Sequence, residues 1–169
     1  MSIKSRKVGI IGVGNVGSHV AFSIVTRGIC DELVLIDIKE DKVKSEMLDL
    51  KDSLANLDSN MIIKSQDYSE LKDAEILVIA AGPLPRFEQT RLDTLDDGVK
   101  IIDNIMPKVL QSGFDGIILV ITNPCDVISH YVWKKSGFPK NRVIGTGTSL
   151  DSARFKRIMS DIMNIDPKS

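Results

Sequence analysis

The sequence predicts an α/β fold, a doubly wound parallel sheet of six strands with helices on both faces. Short apolar runs alternate with longer amphipathic segments along the whole chain, which is typical of repeated strand–helix units. The runs are almost continuous in Val, Ile and Leu, as expected for strands that helices cover on both faces. A glycine-rich stretch directly follows the first run, where a strand must turn sharply into a helix.

The elements can be assigned in chain order. Strong apolar runs predict strands at 7–12, 33–37, 76–80 and 116–121, and weaker runs predict strands at 61–64 and 142–145. Segments of helical length lie at about 15–28, 40–56, 90–112, 126–136 and 149–163. The six strands divide into two halves of three, as in sheets that bind nucleotides.

Composition excludes several classes of protein. A chain of 169 residues is long enough for one domain. With 22 Lys and Arg against 23 Asp and Glu, the net charge is -1, which argues against a nucleic-acid partner. The longest uncharged stretch, 8–26, contains four glycines and five polar side chains, so no membrane span is predicted. Two cysteines are a thin basis for disulfides. We expect a cytoplasmic protein without a metal site.

The glycine-rich stretch matches the pattern G-x-G-x-x-G, and an acidic residue ends the next strand. The candidate cofactor-binding residues are Gly12, Gly14, Asn15, Val16, Gly17 and Asp37. In this pattern Gly12 permits a tight turn, Gly14 lets the backbone approach a pyrophosphate, and Gly17 lets the helix pack closely. The N–H groups at the start of the helix face the anion. The context predicts a Rossmann domain that binds a dinucleotide.

Asp37 selects between the two nicotinamide cofactors. Its carboxylate can accept hydrogen bonds from an adenosine ribose and would repel a 2′-phosphate, so we expect NAD rather than NADP. One alternative is that the glycines only pack a helix on a strand and that Asp37 is a solvated strand end. Another is a methyltransferase, which also combines a glycine-rich turn with an acidic residue.

Three sequence blocks resemble the NAD-dependent lactate/malate dehydrogenase family. They are Gly12 to Gly17, Thr122-Asn-Pro-Cys-Asp126 and Gly147-Thr-Ser-Leu-Asp-Ser-Ala-Arg-Phe155. The Gly147-Thr148 pair is more similar to the lactate branch than to the malate branch. Two further blocks, 49–57 and 136–139, resemble the L-2-hydroxyisocaproate dehydrogenases.

The resemblance implies hydride transfer between NAD and a small 2-hydroxy or 2-oxo acid, with four further site residues. Arg91 matches an arginine on a lid, 81–91, that polarises the reacting carbonyl. Asp151 matches the aspartate that orients a catalytic histidine. Asn123 and Arg154 match residues that hold the substrate, Arg154 through its carboxylate.

Each of these residues also has a structural interpretation. Asp151 and Arg154 are three residues apart on a predicted helix and could form a surface ion pair. Thr148 with Asp151 could form a capping box. Arg91 could be a solvated charge at the start of a helix, and Asn123 could simply end a strand.

The family's catalytic histidine stands in a Gly-Glu-His-Gly motif, which these 169 residues do not contain. His19 and His130 stand in no similar block, so we expect them to be ordinary helix-face residues. The resemblance therefore implies a cofactor domain, 1–145, followed by the first helix of a substrate domain, 146–169. We expect weak NAD binding and no useful turnover from the chain alone.

The substrate and the assembly are open at this stage. Leu84, Pro85 and Phe87 favour an apolar 2-hydroxy acid of medium size, then lactate, whereas Arg86 would suit malate. A non-catalytic NAD-binding module is the alternative from another functional class. The resemblance implies a homo-dimer or homo-tetramer for the complete protein.

Overall fold

The computed structural model describes residues 5–83, 90 and 93–168. Six strands form one sheet, and every neighbouring pair is parallel. The strands are β1 Lys7–Ile11, β2 Glu32–Ile36, β3 Ile62–Ser65, β4 Ile76–Ile79, β5 Ile117–Val120 and β6 Val143–Gly145. Their spatial order is β3-β2-β1-β4-β5-β6. The order reverses between β1 and β4, so a crevice opens outside the carboxyl ends of these two strands.

Five α-helices connect or follow the strands. They are α1 Asn15–Thr26, α2 Glu40–Leu54, α3 Leu95–Gln111, α4 Cys125–Ser136 and α5 Ser149–Met163. Short 3-10 turns at Tyr68–Leu71 and Lys140–Arg142 precede β4 and β6. The prediction of a doubly wound parallel sheet with six strands is confirmed.

The core has two layers, one on each face of the sheet. On one face, α1 and α2 pack against β1, β2 and β3 through Ile10, Val25, Leu35 and Val43. On the other face, α3 and α4 pack against the centre of the sheet through Ile79, Ile102 and Ile128. Residues of β1 are buried along its whole length. The site that β1 leads to therefore stands on the most enclosed strand.

The largest difference from the predicted elements is at the start of α3. The sequence predicts a helix from residue 90, but α3 begins at Leu95. The Asp93 carboxylate accepts hydrogen bonds from the N–H and the hydroxyl of Thr90, at 2.6 and 2.7 Å. These bonds also lower the pKa of Asp93. Thr90 and Asp93 thus precede α3 and are bonded to each other.

The last helix is exposed along most of its length. Ser160 is the buried residue of α5, whereas Leu150, Phe155, Ile158, Ile162 and Met163 are all exposed. Within the described parts of the chain, no helix combines the length and the apolar character that crossing a membrane requires.

Candidate functional site

The glycine loop between β1 and α1 packs backbone against backbone. Gly12 has a φ of +95°, and a Cβ there would collide with the backbone of Ala80 and Ala81 after β4. A Cβ on Gly17 would collide with the carbonyl oxygen of Gly12. Both glycines are therefore required by the internal packing of the protein.

Gly14 has a different environment. Among the described residues, no atom lies within 4 Å of the place that a Cβ on Gly14 would occupy, so the space beside the loop is open. Gly14 is the N-cap of α1, which has no acidic side chain in its first turn. Asn15 and Val16 begin the helix and are exposed. The first N–H groups of α1 and the positive end of its dipole therefore suit an anion.

Asp37 contacts the glycine loop directly. Its Oδ2 accepts a hydrogen bond from the N–H of Val13, with an N–O distance of 2.7 Å, and its Oδ1 accepts one from the N–H of Lys39 at 3.0 Å. A carboxylate has about four acceptor positions, so about two are left for other donors. The structure thus brings the predicted loop and the predicted acidic residue together.

Gln66, one residue past β3, is a site residue that the sequence analysis missed. Its side-chain oxygen accepts a hydrogen bond from the N–H of Asp37 at 3.0 Å, and its side-chain nitrogen donates to the carbonyl of Asp37 at 2.8 Å. Burial, and then the charge of Asp37, raise the pKa of Tyr68, which begins the 3-10 turn after β3. A polar residue at the carboxyl end of a parallel strand was the available sequence signal.

Thr122 joins the ends of β4 and β5. It is buried, and its hydroxyl donates to the carbonyl of Ala81 at 2.9 Å. A Cβ on Gly82 would collide with the Thr122 methyl group. The sequence analysis noted Thr122 only as part of a motif. Its place between the two strands could not be inferred without the sheet.

Asn123 follows at the exposed end of β5, and its peptide bond to Pro124 is cis. The next residue, Cys125, begins α4, and its Sγ accepts a hydrogen bond from the N–H of Gly147 at 3.4 Å. This contact holds the turn before α5 beside the end of β5. The candidate substrate-binding residue Asn123 and the candidate catalytic residue Asp151 therefore come from two segments that the contact between Cys125 and Gly147 joins.

Asp151 and Arg154 lie on the first turns of α5. An Arg154 guanidinium nitrogen is 3.4 Å from the Asp151 Oδ1, and the two side chains are 57% and 66% exposed, arginine first. The surface ion pair considered for these residues is thus present. Among the described residues, the side chain of Thr148 makes no capping hydrogen bond at the start of α5. The interpretation of Thr148 and Asp151 as a capping box is therefore wrong.

Arg91 and the lid residues 84–89 lie outside the described residues.

The two histidines lie on helices, as predicted. His19 is exposed on α1, and His130, which is also exposed, makes an edge contact with Trp133 on α4. In the described portion of the chain, no three His, Cys, Asp or Glu residues are grouped to hold a metal ion.

Comparison with known proteins identifies the family to which this geometry belongs. Residues 6–145 match the model for the NAD binding domain of lactate/malate dehydrogenase. The chain belongs to the lactate/malate dehydrogenase family. Membership confirms the predicted cofactor, NAD, which fits the open space at Gly14 and the acceptor positions of Asp37.

Family members of known name and structure resemble the whole chain. L-lactate dehydrogenase 3 of Bacillus cereus is 47% identical over 169 residues, which are 100% of this chain and 54% of that protein. An L-lactate dehydrogenase of Fusobacterium nucleatum is 47% identical over 97% of this chain and 51% of its own. The ligand-bound minor L-lactate dehydrogenase of Enterococcus mundtii superposes with a TM-score of 0.93 at 40% identity, covering 99% of this chain and 53% of its own. The chain spans about half the length of the curated relatives it matches.

Proposed function

We propose that this lactate/malate dehydrogenase chain is the NAD-binding portion of an L-2-hydroxy acid oxidoreductase. The observation that carries the proposal is the bond from Val13 to Asp37, which couples the glycine loop to a carboxylate with about two free acceptor positions. When bound, NAD supplies the hydride acceptor or donor that interconverts a 2-hydroxy acid and a 2-oxo acid.

The cofactor residues act by binding and by exclusion. The backbone of Gly12, Gly14 and Gly17 and the start of α1, with Asn15 and Val16, bind the pyrophosphate. The two free acceptor positions of Asp37 would accept hydrogen bonds from hydroxyl groups of the adenosine ribose. A 2′-phosphate would meet the same carboxylate and be repelled, so NAD is favoured over NADP.

Four residues are proposed for the substrate. Arg154 binds the substrate carboxylate, and its exposed ion pair with Asp151 is weak enough to exchange. Asp151 orients the catalytic histidine of the complete enzyme. Asn123 holds the substrate beside the nicotinamide, and Arg91 polarises the carbonyl. The contact between Cys125 and Gly147 supports this set, because it brings two of the segments together.

The proposed division of the chain is a cofactor domain, 1–145, and the first helix of a substrate domain, 146–169. The exposure of α5 supports this division, because a helix that packs little against the sheet belongs to another layer. Because these 169 residues contain no Gly-Glu-His-Gly motif, the chain alone is expected to bind NAD weakly and to show no useful turnover. NADH-dependent reduction of 2-oxo acids by the isolated chain would contradict the second expectation.

We propose an apolar 2-hydroxy acid as substrate, of medium size or lactate, with malate third. The names of the relatives support a lactate-type reaction. The 2-hydroxyisocaproate preference is supported by the apolar residues Leu84, Pro85 and Phe87. Rates of the complete enzyme on 2-oxoisocaproate, pyruvate and oxaloacetate rank these substrates, and a preference for oxaloacetate would favour the malate alternative.

The complete enzyme is proposed to be a homo-dimer or homo-tetramer in the cytoplasm. The exposed apolar residues of α5 support self-association.

Cys30 is buried in the core, where burial raises the pKa of its thiol to about 11 and makes it unreactive. A reducing compartment suits two cysteines that are both free.

The test is a fluorescence titration of the chain with NADH and NADPH. We expect NADH to bind more tightly by about tenfold or more, which corresponds to about 1.4 kcal/mol. Asp37→Ala should weaken NADH binding and remove most of this difference. Equal binding of the two nucleotides by the unchanged chain would contradict the role of Asp37. Binding of S-adenosylmethionine without NADH would overturn the proposal as a whole.

A further inference from the structure

Gln66 has an unusual backbone conformation at the end of β3. Its N–H still donates to the carbonyl of Leu35 at 2.9 Å, so the pairing with β2 continues to this residue. Its φ is +64°, a left-handed conformation in which the Cβ of an ordinary residue is crowded. Such a conformation persists only where the surroundings hold it in place. The contacts of the Gln66 side chain show what holds it.

The Gln66 side chain takes the place of a missing strand partner. Asp37 lies one residue past β2, and the last residues paired between β2 and β3 are Leu35 and Ser65. The carboxamide accepts from the N–H of Asp37 at 3.0 Å and donates to its carbonyl at 2.8 Å. An amide has one acceptor end and one donor end, so only one orientation satisfies both bonds. The main chain of Asp37 is therefore held from the β3 side.

The carboxylate of Asp37 is held from the opposite side. Val13 and Lys39 donate to its two oxygens at 2.7 and 3.0 Å. With the main chain and the carboxylate both fixed, the remaining acceptor positions point in fixed directions. We propose that Gln66 is a positioning residue that presents the Asp37 carboxylate to the adenosine ribose and so sharpens the preference for NAD over NADP. This inference rests on the ribose-binding role proposed for Asp37.

A purely structural role for Gln66 makes a different prediction. If its two hydrogen bonds only stabilise the end of the sheet, their loss would lower stability and leave the discrimination between nucleotides unchanged. The ratio of the Kd for NADPH to the Kd for NADH is therefore the decisive quantity. A change in overall affinity or in melting temperature alone does not distinguish the two roles.

The experiment is a double-mutant cycle on the full chain. Gln66→Gly removes the carboxamide and the crowded Cβ, whereas Gln66→Met keeps the length and the Cβ and removes only the hydrogen bonds. Each substitution is made with Asp37 and with Asp37→Ala, and NADH and NADPH are titrated by fluorescence. Thermal melting confirms that each variant is folded. Gln66→Gly is expected to fold, because glycine adopts a positive φ without strain.

We expect both Gln66 substitutions to lower the Kd ratio by about threefold to tenfold when Asp37 is present, the size of one hydrogen bond between neutral groups. In the Asp37→Ala background neither Gln66 substitution should change the Kd ratio, since the carboxylate through which Gln66 acts is gone. If Asp37→Ala lowers the ratio and the Gln66 substitutions do not, the inference fails and the role of Asp37 stands. Equal effects of Gln66 in both backgrounds also overturn it. If Asp37→Ala leaves the ratio unchanged, the proposed ribose contact and the inference fail together.

Discussion

Gly14 and Gly17 belong to the same loop, yet different requirements keep them glycine. The internal packing of the protein leaves no room for a side chain at Gly17 and leaves the space at Gly14 open. A glycine that internal packing does not need marks a place where something outside the chain approaches the backbone. At residue scale, this contrast separates a glycine required for packing from the glycine proposed to bind the cofactor.

The contrast predicts opposite results for two substitutions. Gly14→Ser should change the free energy of unfolding by less than about 0.5 kcal/mol, because serine is a favourable N-cap, while its side chain blocks the pyrophosphate and raises the Kd for NADH at least about tenfold. Gly17→Ala should destabilise by about 1–3 kcal/mol or more, because its methyl group overlaps a carbonyl oxygen. Urea unfolding and NADH titration measure both quantities. Loss of stability in Gly14→Ser at unchanged NADH affinity would contradict the assignment.

At the scale of elements, the sequence predicts the sheet and the glycine loop well, because both depend on short-range patterns. Apolar runs and helical segments indicate strands and helices, and a motif of six residues contains its own turn chemistry. The start of α3, at Leu95 rather than residue 90, was missed because the apolar period that indicates a helix does not fix the residue at which the helix begins. Gln66 was missed because its partner is 29 residues away. No local pattern contains a contact of that range.

A second contact between elements joins the starts of β1 and β2. Arg6 donates to Asp31 through its backbone N–H at 2.8 Å and through its guanidinium at 2.7 and 3.2 Å. These side-chain and backbone bonds lower the pKa of Asp31 to about 2. A carboxylate with a lowered pKa in the folded state stabilises the protein above its unfolded pKa, and the contribution is lost as the pH falls towards the folded value.

We therefore predict that Arg6→Ala lowers stability at pH 6 and that the difference from the unchanged chain shrinks below the ordinary aspartate value of 3.8. Urea midpoints at pH 6 and pH 3 provide the measurement. The control is the same comparison in an Asp31→Asn background, where no carboxyl group titrates and the effect of Arg6→Ala should be small at both values. A difference that grows on acidification would show that another group dominates.

At the scale of the whole molecule, α5 carries a stripe of exposed apolar side chains. Phe155, Ile158 and Ile162 are 64%, 46% and 73% exposed, and their spacing places them on one face of the helix. Exposed apolar stripes of this kind promote association.

We predict that the chain self-associates through this stripe. Phe155→Glu with Ile162→Glu should shift the chain towards monomer without loss of stability, because both residues are exposed. Light scattering across a concentration series measures the change. Lys156→Glu is the matched control, since it alters the net charge by the same two negative units at a residue next to the stripe. A similar shift in the control would mean that charge, not apolar contact, governs association.

The burial of β1 has a consequence for the order in which the molecule comes apart. β1 is paired on both edges and enclosed along its length, while α5 has little packing to keep it in place. Regions with few buried contacts open first in native-state fluctuations, and enclosed central strands open last. Amide hydrogens at the start of the glycine loop should therefore exchange with solvent far more slowly than those of α5. The half of the site proposed to bind the cofactor would therefore stay folded longer than the half proposed to bind the substrate.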